Sequence, residues 1–353
     1  MKAFLTTIIF LSLNFNYLCA QINTERIDSV INNHFENGEF NGSALVTENG
    51  KAIYKNGFGY SNFEWEIKNS PDTKFAIGSC TKQFTATLIM KLIEENKLSL
   101  EDNISKYIPE YPADKGSKIT IHNLLSHTSG IPDFFGLPQM RTLMYKENKP
   151  DDFIKTFWDL ELDFEPGSQL KYSNSGYFIL GVIIEKVTGL SYAKALKEYI
   201  FNPLQMNNSG VLKDREVLKN KAYGYIKVNE IYRTAPYFNP SGAFSAGAIY
   251  STVEDLLKWQ NSINSNSILS QESIDKMLTV NFSRYGYGFA ILEKTLENGD
   301  IVTLFGHEGQ IFGFRSLIQI IKEDNCSVIL LDNSQSTELG KIASEIRKVL
   351  YKN

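Results

Sequence analysis

The sequence predicts an α/β (α+β) fold: one antiparallel sheet built from both chain ends, flanked by helices, with a large helical region inserted. Three observations carry this. Strand-like runs occur early, at Gly42 to Thr47 and Ala52 to Gly57, and return after Tyr285. Between them, from Ser79 to about Gly210, apolar residues recur at helical spacing. An amphipathic helical stripe precedes the first strands and another follows the last.

In order, Arg26 to Glu36 places Ile27, Val30, Ile31 and Phe35 on one stripe and predicts a helix. The two strand runs after it flank Glu48-Asn49-Gly50, and Asn-Gly between apolar runs is a strong hairpin signal. Lys82 to Leu100 repeats Phe84, Leu88, Leu92 and Ile93 as a helix does. Turn clusters follow at Pro109 to Gly116, Thr128 to Gly136 and Glu165 to Ser168, and a further helix is predicted over Tyr177 to Thr188. The late strands are Tyr287 to Leu292, Ile301 to Phe305, Phe314 to Ile321 and Ser327 to Leu331, closed by a helix from Thr337 to Tyr351. One domain over 21–353 is expected, its sheet parts at about 21–75 and 240–353 and its helical part at about 76–239.

Residues 1–20 read as a signal peptide rather than as part of the fold. Lys2 begins it, Phe4 to Leu13 is apolar, and Leu18-Cys19-Ala20 offers a cleavage site. Lipid attachment at Cys19 is the less favoured alternative, because Leu18 is a poor match to the small residue expected before a lipidated cysteine. The mature chain is therefore expected to be exported, periplasmic or extracellular, without an integral membrane segment. Of 353 residues 22% are charged, the formal net charge is −4, and no basic block is present, so nucleic acid is not an expected partner. Cys80 and Cys326 read as small buried residues rather than a disulfide. His34, His122, His127 and His307 are scattered without ligand spacing, so no metal is expected.

Three short motifs carry chemistry. Ser79-Cys80-Thr81-Lys82 places a hydroxyl at the start of a helix, where free N–H groups and the dipole favour developing negative charge. The amine three residues on lies on the same face and can take the hydroxyl proton. Tyr172-Ser173-Asn174 follows a turn, and a tyrosine near cations can serve as a general base. Phe305-Gly306-His307-Glu308-Gly309-Gln310 ends a strand, where glycines admit a close backbone or ligand and an N–H can join that of Ser79 in an oxyanion hole. Alone, the first two motifs read better as a helix cap beside a surface lysine and as a packed loop tyrosine with a turn-capping asparagine, and the third is a common irregular strand turn.

Taken together and in this order, the motifs resemble the serine β-lactamase and penicillin-binding superfamily, in its class C-like branch with D,D-peptidase, D-aminopeptidase and esterase relatives. The resemblance runs from about Phe40 to Leu331 and includes Ile119 to Gly130, with its Leu-Leu-Ser-His-Thr-Ser-Gly run, and Ser245 to Asp255. It implies a β-lactamase/transpeptidase-like fold and an acyl-enzyme mechanism without metal or organic cofactor. Ser79 is then the nucleophile, Lys82 its proton partner, Tyr172 the base and Asn174 the residue that orients substrate and lysine. The backbone N–H groups of Ser79 and Gln310 form the oxyanion hole, and His307, Glu308 and Gly309 occupy the late-strand position. Ser126 and His127 belong to a structural loop in such proteins. Where class C β-lactamases carry Lys-Thr-Gly, this chain has His307-Glu308-Gly309. The expected partner is a small-molecule or peptide substrate: a D-amino-acid peptide of cell-wall type or a small ester. The alternatives are a true β-lactamase and a non-catalytic peptidoglycan-binding relative. Glu308 is expected to penalise a substrate carboxylate if it faces the site, and Arg315 is the nearby cation able to replace the missing lysine. The sequence sets no oligomeric state.

Overall fold

A computed structural model describes residues 23–229, 231–296, 299–335 and 338–351. The predicted signal peptide lies outside them. Six strands form the main sheet: β1 (Gly42–Glu48), β2 (Lys51–Phe58), β3 (Ala290–Thr295), β4 (Ile301–Ile311), β5 (Phe314–Ile321) and β6 (Cys326–Asp332). Their order is β3-β4-β5-β6-β1-β2, antiparallel throughout, so the two chain ends meet where β1 pairs with β6. The hairpin between β1 and β2 turns at Asn49 and Gly50, both at positive φ, as its sequence predicts.

The helices that matter below are α1 (23–36), α2 (Thr81–Glu94), α3 (Asn174–Thr188), α4 (Val253–Asn264) and α5 (Leu339–Leu350). Strand β6 is buried along its whole length. Its alternate residues explain why. Val328 and Leu330 pack with Ile27, Ile31, Ile342 and Ile346 of α1 and α5, whereas Ile329 and Leu331 join the larger core that includes α2 and α3. A strand covered on both faces reads as a continuous apolar run instead of an alternating one.

Strand β3 runs Ala290–Thr295 where the sequence predicts Tyr287 to Leu292, and three further boundaries differ for a local reason. Helix α2 ends at Glu94, short of Leu100, because Asn96 takes the left-handed conformation at φ 57°. Helix α3 starts at Asn174, before Tyr177, because the Ser173 hydroxyl accepts the Gly176 N–H at 3.4 Å and caps it. Strand β4 continues six residues past Phe305. Gly306 and Gly309 look like breakers, yet a Cβ there would lie 1.9 Å from the Ile318 carbonyl oxygen and 2.1 Å from that of Ile77. The glycines permit backbone contact, and the strand runs through them. A hairpin of Tyr225–Val228 and Ile231–Thr234 has no counterpart in the sequence reading.

Candidate active site

Ser79 sits in a single tight turn, Gly78–Cys80, directly before α2, and is half-buried. Gly78 has φ 49°, and a Cβ on it would lie 2.8 Å from the Gln310 nitrogen. Any other residue would push the turn off β4. Strand β3 pairs with β4 only as far as Gly306, so from His307 onward that edge of β4 is unpaired. Ile311 and Phe314 form the last pair of the β4–β5 hairpin, across Phe312 and Gly313 at φ 28° and 88°. In such a two-residue hairpin the closing pair is hydrogen-bonded and the next pair is not. The Gln310 N–H therefore faces the free edge, toward Gly78 and Ser79.

Lys82 is fully buried, and its Nζ has three oxygen neighbours: Ser79 Oγ at 3.2 Å, Asn174 Oδ1 at 2.8 Å and the Ala246 carbonyl at 2.8 Å. Burial pushes its pKa down to about 7, with the Asp133 carboxylate opposing that push. The Asn174 amide has one orientation, since its Nδ2 donates to both Asp133 oxygens, at 3.2 and 3.0 Å. Asn174 Oδ1 and the Ala246 carbonyl can only accept. A neutral Lys82 amine thus spends its two N–H groups on them and turns its lone pair to the Ser79 hydroxyl.

Tyr172 lays its ring 4.8 Å from Lys82 Nζ. Its hydroxyl is buried and completes no hydrogen bond among the described residues. Burial raises its pKa well above the ordinary phenol value, and proximity to Ser79 works the other way. In the resting site the lysine is therefore the easier group to find unprotonated.

His307 is half-buried. Its Nδ1 donates to the Glu308 carbonyl, which leaves Nε2 to accept the Tyr285 hydroxyl at 2.9 Å. Burial and the nearby Lys82 hold the imidazole below its ordinary pKa, so it is neutral and its donor is already used. Glu308 alternates to the opposite face: its Oε1 comes within 3.2 Å of where Gly340 of α5 would carry a Cβ. The carboxylate thus lies by the first turn of α5, where the helix dipole favours it. It is at the cleft rim. Arg315, cross-strand from Gln310, is on the same side. Ser79, Tyr172, His307, Glu308, Gly309, Gln310 and Arg315 together line a cleft of ≈280 Å³.

The second Ser/His pair is locked away. The Ser126 hydroxyl donates to the His122 carbonyl at 2.7 Å, and His127 Nδ1 accepts the Ser173 N–H at 3.1 Å, both residues being buried. Cys80 and Cys326 are buried and free. Asp133 and the Ala246 carbonyl are site groups that sequence reasoning missed. Asp133 stood within the Thr128 to Gly136 turn cluster, and Ala246 within the Ser245 to Asp255 motif, but a carbonyl acceptor has no side-chain signature. Among the described residues no group of three or more His, Cys, Asp or Glu could hold a metal, and no helix is long and apolar enough to cross a membrane.

The family model described as Beta-lactamase matches residues 27–350. The chain belongs to that family. Beta-lactamase-family relatives include the putative penicillin-binding protein PbpX of Bacillus subtilis (strain 168), 33% identical over 94% of this chain and 80% of that protein. Protein flp of Staphylococcus aureus (strain MRSA252) is 30% identical over 91% of this chain, which spans 65% of that protein's length. Among solved structures, the octameric penicillin-binding protein homologue of Pyrococcus abyssi aligns with a TM-score of 0.80 and 33% identity, over 92% of this chain and 77% of that one. A D-amino acid amidase of Ochrobactrum anthropi SV3, complexed with L-phenylalanine, aligns at 0.79 and 26%, over 93% and 97% of the two chains. The β-lactamase/transpeptidase fold expected from the motifs is the fold observed.

Proposed function

We propose that this protein is an exported serine hydrolase that works through a Ser79 acyl-enzyme, on D-amino-acid peptides of cell-wall type or on small esters. The observation that carries it is the buried Lys82 amine, 3.2 Å from Ser79 Oγ with a pKa of about 7. A serine hydroxyl is a weak nucleophile until a base takes its proton, and a base poised near the working pH does so best. In the proposed reaction Lys82 takes the Ser79 proton as Oγ bonds to the substrate carbonyl carbon. The N–H groups of Ser79 and Gln310 receive the oxyanion. As the bond to the departing group breaks, Tyr172 gives that group its hydroxyl proton and is resupplied by the Lys82 ammonium. Water then enters, loses a proton to the same pair, and releases the acid and free Ser79.

The leaving-group side lacks the fixed lysine of Lys-Thr-Gly, and His307 there is neutral with its N–H engaged. That favours amides and esters without a carboxylate beside the reacting bond over β-lactams. The amidase among the structural neighbours is consistent with this direction.

The test is intact mass spectrometry of purified protein after a fluorophosphonate, a short nitrophenyl ester, a D-amino-acid amide and benzylpenicillin. One fluorophosphonate adduct that disappears in Ser79→Ala is expected, with ester turnover exceeding that of nitrocefin. An adduct retained in Ser79→Ala, or nitrocefin turned over faster than the ester, overturns the reading.

A further inference from the structure

A second cleft opens at the tip of the β4–β5 hairpin, where Phe312 lines it. It measures ≈690 Å³, in the range of about 300–1,000 Å³ usual for small-molecule sites. Phe135, Leu137, Met140, Arg141, Tyr145 and Phe312 line it. Two of these tie it to the reacting centre. Phe312 lies two residues beyond Gln310, at the tip of the β4–β5 hairpin. Phe135 lies two residues beyond Asp133, the carboxylate that holds Asn174.

The walls are held in place. Phe312 stacks on Phe238 with ring centroids 4.3 Å apart, and Tyr145 lies nearly parallel to Tyr237. Even so, Phe135 and Tyr145 remain 41% and 55% exposed. A cluster of exposed rings is apolar surface that a bound apolar group would remove from water. Arg141 is exposed at this cleft and makes no ion pair among the described residues.

Proton chemistry decides which half of a substrate belongs here. The departing group needs a proton from the Tyr172 and Lys82 side, so it leaves toward Tyr172 and His307. The acyl half then extends the other way along the free edge of β4, past Gln310 toward Phe312. Resting on the acyl-enzyme reading of Ser79, we infer that this cleft is the acyl subsite, and that it takes an acyl group with an aromatic or long apolar body and an anionic end against Arg141.

Four nitrophenyl esters test it on the full chain: the acetate, the hexanoate, the phenylbutyrate and the half-ester of adipic acid, which is hexanoate with a terminal carboxylate. The phenylbutyrate is expected to exceed the acetate in kcat/KM by about tenfold or more, the scale of a few buried carbons. The adipate half-ester is expected to exceed the hexanoate by about threefold, as for a single exposed ion pair. Tyr145→Ser should reduce the first ratio, and Arg141→Glu should invert the second. Ratios within one preparation cancel the fraction of folded enzyme, so a poorly folding variant still reports. Equal rates across the series, or ratios untouched by both variants, overturn the acyl subsite while leaving the hydrolase intact. No turnover of any ester and no fluorophosphonate adduct overturn the hydrolase reading, and the subsite with it.

Discussion

The chain holds two pairs that a chemist would circle, Ser79 with Lys82 and Ser126 with His127, and only their surroundings separate them. Ser79 is half-buried, opens on a cleft and has the Lys82 Nζ 3.2 Å from its Oγ. Ser126 is buried, and its hydroxyl proton goes to the His122 carbonyl. His127 spends Nδ1 on the Ser173 N–H, and its ring packs at a tilt with its centroid 4.3 Å from that of Tyr172. The first pair opens on a cleft; the second is buried, with Ser126 Oγ held by the His122 carbonyl and Thr128 and with His127 Nε2 facing no hydrogen-bond partner among the described residues. A nucleophile is recognised by what its hydroxyl is free to do, not by the residue three or one positions away.

The largest expected effect separates the two serines. Ser79→Ala should remove the fluorophosphonate adduct and lower turnover by at least about 10³-fold. Ser126→Ala should keep the adduct and cost only about 1 kcal/mol of stability, since the His122 carbonyl keeps the Ser126 backbone N–H and only the hydroxyl's hydrogen bonds are lost. Labelling of Ser126 in either protein would erase the distinction.

Next comes the tyrosine that touches both regions. Tyr172→Phe preserves the ring against Lys82 and His127 but removes the hydroxyl, and turnover should fall about 10²–10⁴-fold with thermal stability kept. Retention of rate within a few-fold would show that Lys82 alone moves the proton. The same contact predicts a smaller effect at His127. His127→Gln should lower the melting temperature by about 2–4 °C per kcal/mol lost, while Ser79 is still labelled. Loss of labelling in a protein with unchanged melting would make His127 part of the chemistry.

How much of this was legible beforehand follows the same division. Ser79, Lys82, Tyr172 and Asn174 are readable as candidates because each motif is contiguous and its side chains are of reactive types. The strands β1, β2, β5 and β6 are readable because apolar runs and one Asn-Gly turn mark them. Asp133 was not readable as a partner of Asn174, because the contact joins residues 41 positions apart through a loop. The Ala246 carbonyl left no trace, since any residue supplies one. The face taken by Glu308 depends on where the β4–β5 ladder closes, and that is fixed by Phe312 and Gly313 rather than by Glu308 itself. Parity in a strand is settled at its turn.

Asp133 gives the smallest effect and the most specific one. Its carboxylate works against the burial that depresses Lys82, so it keeps the amine more basic than it would otherwise be. If neutral Lys82 is the base, kcat/KM should rise with pH and reach half its plateau close to the lysine pKa of about 7. Asp133→Asn keeps an acceptor for the Asn174 amide but removes the charge. With that charge gone the ammonium loses a stabilising partner, its pKa falls further, and the half-plateau point should move to lower pH. The plateau should change little, because neither side chain touches the reacting atoms. A purely structural role for Asp133 predicts the reverse pattern: a lower plateau with its midpoint in place. A shift to higher pH would mean that the group titrating in the profile is one that must be protonated less easily when Asp133 is present, and Lys82 would cease to be the base.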